Sequence, residues 1–220
     1  MATTNVQIWD RFLAEHAQKQ SLFHTLLWEV RFLFSRAYAN AIRRAVGNLP
    51  APRLLETGCG SAQTLRFLTS HYPHSRCAAV DFSPEAIMLA KIKHPTFAAM
   101  QGNSLCLPIA SNVFDVSCSV GLIEHFSRAD AAQICREKAR VVRPGGWVAV
   151  IVPWKSSVYN LVLRRLAGKY WPFGEEDPFR RAELVRLMME IGLAHVSVDV
   201  VYGTTLVAIG QKQDPTVPND

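Results

Sequence analysis

The fold of this chain is decided by Leu54-Leu55-Glu56-Thr57-Gly58-Cys59-Gly60-Ser61-Ala62. A short apolar strand runs into a Gly-x-Gly turn and then into a helix, and glycine lets the backbone pass close to a ligand because it has no Cβ and tolerates positive φ. Asp81 ends the next apolar run, where a carboxylate can accept hydrogen bonds from both hydroxyls of a ribose. These residues predict a pocket for a nucleotide-type cofactor.

The type of cofactor follows from what the turn lacks. A dinucleotide fingerprint has a third glycine for close helix–strand packing, where this chain has Gln63. No Gly-x-x-x-x-Gly-Lys-Ser/Thr string occurs for a phosphate-binding loop. The acidic Glu56 would repel a pyrophosphate but can accept hydrogen bonds from a cationic amine. The turn therefore favours a positively charged nucleoside.

Asp81 also has a purely structural interpretation, as the cap of the helix that follows it. Ser83 is the better cap, since Pro84 suits the first helical turn directly after it. Capping by Ser83 leaves Asp81 for the ligand.

Five motifs follow one another over about residues 54–153. They are Glu56-Thr57-Gly58-Cys59-Gly60, Val80-Asp81-Phe82-Ser83, Gly102-Asn103-Ser104-Leu105-Cys106-Leu107-Pro108 with Phe114-Asp115-Val116, Val120-Gly121-Leu122-Ile123-Glu124-His125-Phe126, and Arg143-Pro144-Gly145-Gly146-Trp147. In type and order these motifs resemble those of the class I S-adenosylmethionine-dependent methyltransferases. The closest resemblance is to the small-molecule branch, which includes quinone and sterol methyltransferases.

The resemblance implies S-adenosylmethionine as cofactor. Asn103 stands where the family usually has an acidic residue for the adenine amino group, and its amide oxygen accepts that bond more weakly. Phe82 either stacks on the adenine base or is an ordinary core aromatic. Ala62 stands where the family often has glycine, a mild departure from the family pattern that the start of a helix tolerates. The implied cofactor-binding residues are Glu56, Gly58, Cys59, Gly60, Asp81, Phe82, Asn103, Ser104, Ser119 and Val120.

Strands alternate with helices through the middle of the chain, which predicts an α/β fold of the doubly wound, Rossmann-like type with helices on both faces. We expect seven strands, mostly parallel, with a terminal antiparallel strand; the family that the chain resembles ends in such a pair. The predicted strands are 52–57, 76–81, 96–100, 113–119, 147–152, 195–201 and 204–210, and the predicted helices are 62–71, 84–93 and 129–141.

The 220 residues are 49% hydrophobic, enough for one well-packed domain. We expect a helical N-terminal extension over 1–48, the cofactor-binding domain over 49–212 with an acceptor-covering insertion at 154–180, and a disordered tail over 213–220. The five cysteines are odd in number and lack a C-x-x-C pair, so they are interpreted as buried thiols in a reducing, cytoplasmic setting. No signal peptide opens the chain, and no metal site is expected.

His125 is the candidate catalytic residue. It follows the fourth strand at the carboxyl edge of the sheet, and imidazole titrates near neutral pH. The sulfonium is already an activated electrophile, so methyl transfer needs alignment and exclusion of water, and a base only when the acceptor carries a proton. The alternative is that Glu124-His125 only caps the turn or orients the loop.

The acceptor is expected to meet segments outside the five motifs. Candidate acceptor contacts are Trp28, on an apolar N-terminal helix that packs in the core or covers the site, and Trp154 and Tyr159 after the fifth strand. The acidic residues 175–177 attract a cationic group or form a solvated loop face.

The formal net charge of +6 is spread along the chain without a basic tract, so it indicates no nucleic-acid module. The N-terminal aromatic helix can also rest on a bilayer surface. The sequence thus predicts methyl transfer to a small, partly apolar metabolite. Two alternatives stay open, an RNA- or protein-modifying methyltransferase and a non-catalytic module that binds the cofactor.

Overall fold

A computed structural model describes the backbone of residues 22–163 and 176–214, and the side chains of residues 31–158, 160–162 and 176–214. The N-terminal 21 residues, residues 164–175 and residues 215–220 lie outside the described part, and with them part of the predicted insertion and most of the predicted tail. The side chains of Trp28 and Tyr159 also lie outside it.

The described strands are β1 (Arg53–Thr57), β2 (Arg76–Asp81), β3 (Ala98–Gln101), β4 (Phe114–Val120), β5 (Val142–Pro153), β6 (Leu193–Val201) and β7 (Thr205–Lys212). The described α-helices are α1 (Leu22–Val46), α2 (Gln63–His71), α3 (Pro84–Lys93), α4 (Arg128–Val141) and α5 (Arg181–Glu190). A 3₁₀ turn spans Ile123–His125, and a π-helical turn spans Tyr159–Leu163.

The strands form one sheet in the order β3-β2-β1-β4-β5-β7-β6. The first five strands along the chain pair in parallel, whereas β7 is antiparallel to both β5 and β6. The predicted seven-stranded, mostly parallel sheet is therefore confirmed. Because β1, β2, β4 and β5 run the same way, their carboxyl ends meet at one edge, where ligands bind in open α/β sheets.

Both faces of the sheet are apolar, and each face is covered by helices. One face packs against α4 and α5 around Ile134, Leu184 and Met188, and the other packs against α1, α2 and α3 around Ile42, Leu65 and Ile87. Residues on the second half of α1, including Ala39, are fully buried there. The predicted N-terminal helix thus contributes to the core in its described part, and the division into two regions at residue 48 stays a prediction.

Two expectations about local structure were wrong. Strand β5 begins at Val142 rather than 147, because Val142 pairs with Phe114 across an irregularity in the ladder before the regular pairing resumes at Trp147. Cys106 is exposed, unlike the other four cysteines, because it lies in a turn after β3 rather than on a strand or helix face.

Candidate functional site

The glycine turn after β1 presents open backbone at the carboxyl edge of the sheet. Gly58 and Gly60 have φ of 60° and 49°, in the left-handed region that glycine adopts without strain. A Cβ added at Gly60 would have no atom within 4 Å, whereas one at Gly58 would lie 2.7 Å from Leu122 Cδ1. The turn therefore has no room for a side chain at Gly58, where Leu122 packs against it, but it is open at Gly60.

Asp81 lies beside this open turn. Its Oδ2 accepts a hydrogen bond from the Gly60 N–H at 2.8 Å, and its Oδ1 accepts one from the Ser83 N–H at 3.0 Å. The Ser83 hydroxyl caps α3 by accepting from the Ala86 N–H at 3.2 Å, as predicted. Because each carboxylate oxygen can accept more than one hydrogen bond, Asp81 can hold the turn and still accept from ligand hydroxyls.

Ala62, where the family often has glycine, adopts a strained backbone conformation that the sequence did not indicate. It has φ 53° and ψ 37° and is fully buried at the start of α2. A non-glycine residue in this left-handed conformation costs roughly 1–2 kcal/mol. The sequence suggested a mild departure at an ordinary helix start, whereas the structure places a left-handed alanine there.

Glu56 is buried beneath the turn, with only 3% of its surface exposed. Its Oε2 accepts a hydrogen bond from the Leu65 N–H at 3.0 Å, within the first turn of α2. Burial raises the pKa of the Glu56 carboxyl to about 7, although the Leu65 N–H and the charge of Lys138 lower it. Glu56 thus connects the strand to the helix, and its contact with a cationic amine stays a prediction.

Cys59 is buried beside these groups. Its N–H donates to the Val80 carbonyl at 3.1 Å, which ties the turn to β2. Burial raises the pKa of the Cys59 thiol, and the negative charges of Asp81 and Glu56 raise it further. The thiol is therefore kept protonated and unreactive.

The residues expected around adenine follow β2 and β3. Phe82 is 53% exposed, which excludes its interpretation as a core aromatic. The Asn103 Oδ1 accepts from the Leu105 N–H at 2.9 Å, so the amide oxygen expected to meet adenine also closes a local turn. Ser104 is buried in the same turn.

The end of β4 supplies the remaining predicted cofactor contacts. Ser119 is buried, and its hydroxyl has no hydrogen-bond partner within the described part of the chain. Val120 is partly buried, and Gly121 then turns the chain with φ 65° while its N–H donates to the Ile151 carbonyl at 3.0 Å. This turn directs the following residues across the edge of the sheet.

His125 ends the 3₁₀ turn that follows, and it is partly buried. A carboxylate oxygen of Glu124, a ring nitrogen of His125 and a carboxylate oxygen of Glu176 all lie within 4.8 Å of one another. Glu124 is 2% exposed. Burial raises the pKa of its carboxyl to about 8, and the charge of Glu176 adds to this, whereas its own backbone N–H and Arg128 oppose it.

Sequence reasoning missed this juxtaposition. Glu176 was expected to attract a cation or to lie on a solvated loop face, and Glu124 was considered only as a cap. The two are far apart in sequence, and the segment 176–180 is placed by tertiary contacts. The acidic residues at 175–177 were the only sequence signal that could have found it.

Arg128 anchors that segment. Its guanidinium lies 3.7 Å from the centre of the Phe179 ring. The same guanidinium pairs with Asp177 at 3.0 Å and with Glu183 at 2.5 Å. The Lys155 Nζ also pairs with Asp177, at 3.0 Å. These contacts fix the segment against α4 and the end of β5.

Trp154 follows β5 at this edge and is partly buried against the core. Its N–H donates to the Thr204 carbonyl at 2.8 Å, and it forms an isolated bridge with Phe179. Trp28 lies on α1 and Tyr159 begins the π-helical turn. The acceptor roles of Trp28, Trp154 and Tyr159 stay predictions.

A family profile described as a methyltransferase domain matches residues 55–150, which contain the glycine turn, Asp81 and His125. Residues 55–150 form a methyltransferase domain. The predicted resemblance is thereby confirmed, and S-adenosylmethionine is the cofactor that this family uses.

Curated relatives agree with this assignment. The chain is 32% identical over 160 residues to a demethylmenaquinone methyltransferase of Corynebacterium efficiens, covering 69% of this chain and 64% of the relative. It is 27% identical over 170 residues to a malonyl-[acyl-carrier protein] O-methyltransferase of Herminiimonas arsenicoxydans, covering 74% and 60%. The chain thus spans less than two thirds of the length of these relatives.

Solved structures share the fold. A methyltransferase of Thermotoga maritima superimposes with a TM-score of 0.75 at 18% identity, covering 95% of this chain and 100% of that one. One of Methanosarcina mazei gives a TM-score of 0.60 at 19% identity, covering 76% and 94%. Among the described residues, none of the helices has the length and apolar character that crossing a membrane requires.

The predicted site in this methyltransferase domain has groups whose chemistry suits the cofactor. The Asp81 carboxylate can accept from ribose hydroxyls, the backbone is open at Gly60, and Phe82 is exposed next to Asp81. Each feature suits one part of a nucleoside.

Proposed function

We propose that this chain transfers the methyl group of S-adenosylmethionine to a small, partly apolar acceptor, with S-adenosylhomocysteine as the other product. The observation that carries the proposal is the Asp81 carboxylate held 2.8 Å from the Gly60 N–H at the carboxyl edge of the sheet. When bound, the cofactor supplies an electrophilic methyl group on a sulfonium. The residues of the chain bind the cofactor and the acceptor, orient them towards each other, and exclude water from the site.

The cofactor contacts are proposed to divide by the part of the molecule that they meet. Asp81 binds the ribose, and the residues after β2 and β3 bind the adenine: Phe82, Asn103 and Ser104. The glycine turn meets the amino acid portion through Glu56, Gly58, Cys59 and Gly60, and Ser119 and Val120 form the wall at the end of β4.

Burial supports this arrangement. Four of these residues are enclosed by the fold: Glu56, Cys59, Ser104 and Ser119. Enclosed supporting residues keep a binding turn ordered and dry, so that it meets its ligand without rearrangement.

His125 is proposed to accept a proton from the acceptor. Its place on the 3₁₀ turn, past the end of β4, supports this role. We expect His125→Ala to lower the transfer rate by about 10²–10⁴-fold, which is the usual contribution of a general base. His74→Ala is the matched control, since His74 is exposed. Single-turnover rates measure the effect, and calorimetry should show unchanged S-adenosylhomocysteine binding; an unaltered rate would remove this role.

A small, partly apolar acceptor is supported by the curated relative that is named a demethylmenaquinone methyltransferase. The partly buried Trp154 offers apolar surface at the same edge. We further propose that residues 154–180 cover the acceptor, that Trp28 and Tyr159 contact it, and that the protein works in the cytoplasm, where its cysteines stay reduced.

The experiment that tests the acceptor class uses labelled S-adenosylmethionine with cell extract fractionated by size. Label in small, organic-soluble products supports the proposal. Label in RNA or protein would replace it with a macromolecular acceptor, and S-adenosylhomocysteine binding without any transfer would favour a non-catalytic module.

A further inference from the structure

Two carboxylates and one imidazole converge beside the end of β4. One ligand atom from each of Glu124, His125 and Glu176 lies within 4.8 Å of the other two. Ligand atoms around a divalent metal lie roughly 2.0–2.2 Å from it, so they stand about 3–4.4 Å apart. Small side-chain rotations would bring these three atoms to coordination distance.

The fold holds Glu176 in place through its chain neighbours. The Asp177 N–H donates to the Glu124 carbonyl at 2.8 Å. This hydrogen bond holds the backbone beside Glu176 next to Glu124. The Phe179 N–H donates to the Pro153 carbonyl at the end of β5, at 3.2 Å. The juxtaposition is therefore built by backbone pairing and does not depend on a chance contact of side chains.

Glu124 supplies a second, separate observation. Its Oε2 is enclosed and accepts no hydrogen bond from any residue that the structure describes. Leaving a buried carboxyl oxygen without a partner is costly, and the nearby Glu176 adds to the cost of ionising Glu124. Arg128 lowers the pKa of Glu124, against the effect of burial, and its guanidinium is already paired with Asp177 and Glu183.

We propose that Glu124, His125 and Glu176 bind a divalent first-row transition-metal ion. One imidazole nitrogen and two carboxylate oxygens form a mixed donor set, which suits Mn²⁺ or Zn²⁺ better than Mg²⁺. The ion neutralises both carboxylates and gives the enclosed Glu124 oxygen a partner. The sequence analysis expected no metal site and did not group Glu176 with Glu124 and His125.

Three protein ligands leave coordination positions open. If the proposed function holds, an oxygen of the acceptor can occupy one of them. The His125 nitrogen that coordinates the ion cannot at the same time accept a proton from the acceptor. Metal coordination and general-base catalysis by that nitrogen are therefore mutually exclusive. Metal binding therefore decides which role His125 has.

The test uses the full chain and Mn²⁺ alone. Electron paramagnetic resonance of free Mn²⁺ should report one bound ion per chain, and spin-echo modulation should show one coupled imidazole nitrogen that is lost in His125→Ala. Glu176→Gln should weaken binding about tenfold or more, equivalent to about 1.4 kcal/mol. Glu190→Gln, an exposed residue on α5, should leave binding unchanged.

Glu124→Gln is the second variant, with its folded state checked by thermal unfolding, and it should also weaken Mn²⁺ binding. The proposal is overturned if the wild-type chain binds no Mn²⁺, or if Glu176→Gln binds it as tightly as wild type. S-adenosylhomocysteine binding is measured on the same samples without metal. A wild-type chain that does not bind the cofactor product would count against the proposed function, whereas failure to bind Mn²⁺ alone counts against the metal site.

Discussion

Replacing Asp81 with alanine is expected to weaken S-adenosylhomocysteine binding by about tenfold or more. Hydrogen bonds to a charged group contribute about 1.5–3 kcal/mol each, and 1.4 kcal/mol is a factor of about ten in affinity. The variant also removes the acceptor for the Gly60 and Ser83 N–H groups, which loosens the turn that the cofactor must meet. Isothermal titration calorimetry measures the loss.

Two further variants separate these effects. Asp81→Asn keeps one oxygen acceptor but no charge, so it should bind more weakly than wild type and more tightly than the alanine variant. Asp199→Ala removes an exposed carboxylate from β6 and should bind as wild type does. Equal affinity in Asp81→Ala and wild type would contradict the assignment of Asp81 to the ribose.

Replacing Lys138 with methionine is expected to raise the free energy of unfolding at pH 7 by about 1–3 kcal/mol, because the folded chain no longer has to bury an amine without a hydrogen-bond partner. Lys138 lies on α4, is fully buried, and has an Nζ without a hydrogen-bond partner in the described part of the chain. Burial lowers its pKa to about 8, although Cys118, Cys135 and Glu56 act in the opposite direction. Methionine has a similar length and no charge to bury.

The pH dependence gives a sharper measurement. The folded pKa of about 8 lies below the ordinary value of 10.5, so the unfolded chain binds more protons between these values and wild-type stability rises with pH across this window. The advantage of Lys138→Met should therefore shrink from pH 7 to about pH 10 in urea denaturation. Lys91→Met, at an exposed position on α3, should show no such trend. A constant difference, or a less stable Lys138→Met at pH 7, would disprove the interpretation.

The central fold was predictable because its signals are local. The Gly58–Gly60 turn, the Ser83 cap and the alternation of apolar strands with helices all act within a few residues, and the structure has them. The start of β5 was not predictable in the same way. Pro144 and the two glycines after it suggest a break, yet pairing of Val142 with Phe114 extends the strand.

The sequence by itself determined the parallel sheet and the glycine turn at its carboxyl edge, because glycine turns and apolar periodicity restrict the backbone wherever they occur, and its motifs indicated the methyltransferase domain. Only the tertiary structure decided that Glu176 meets Glu124 and His125, and that Lys138 is enclosed. Both depend on contacts between distant segments, such as the bond from the Asp177 N–H to the Glu124 carbonyl. No periodicity encodes such a contact, because it arises from how the packed elements enclose their neighbours.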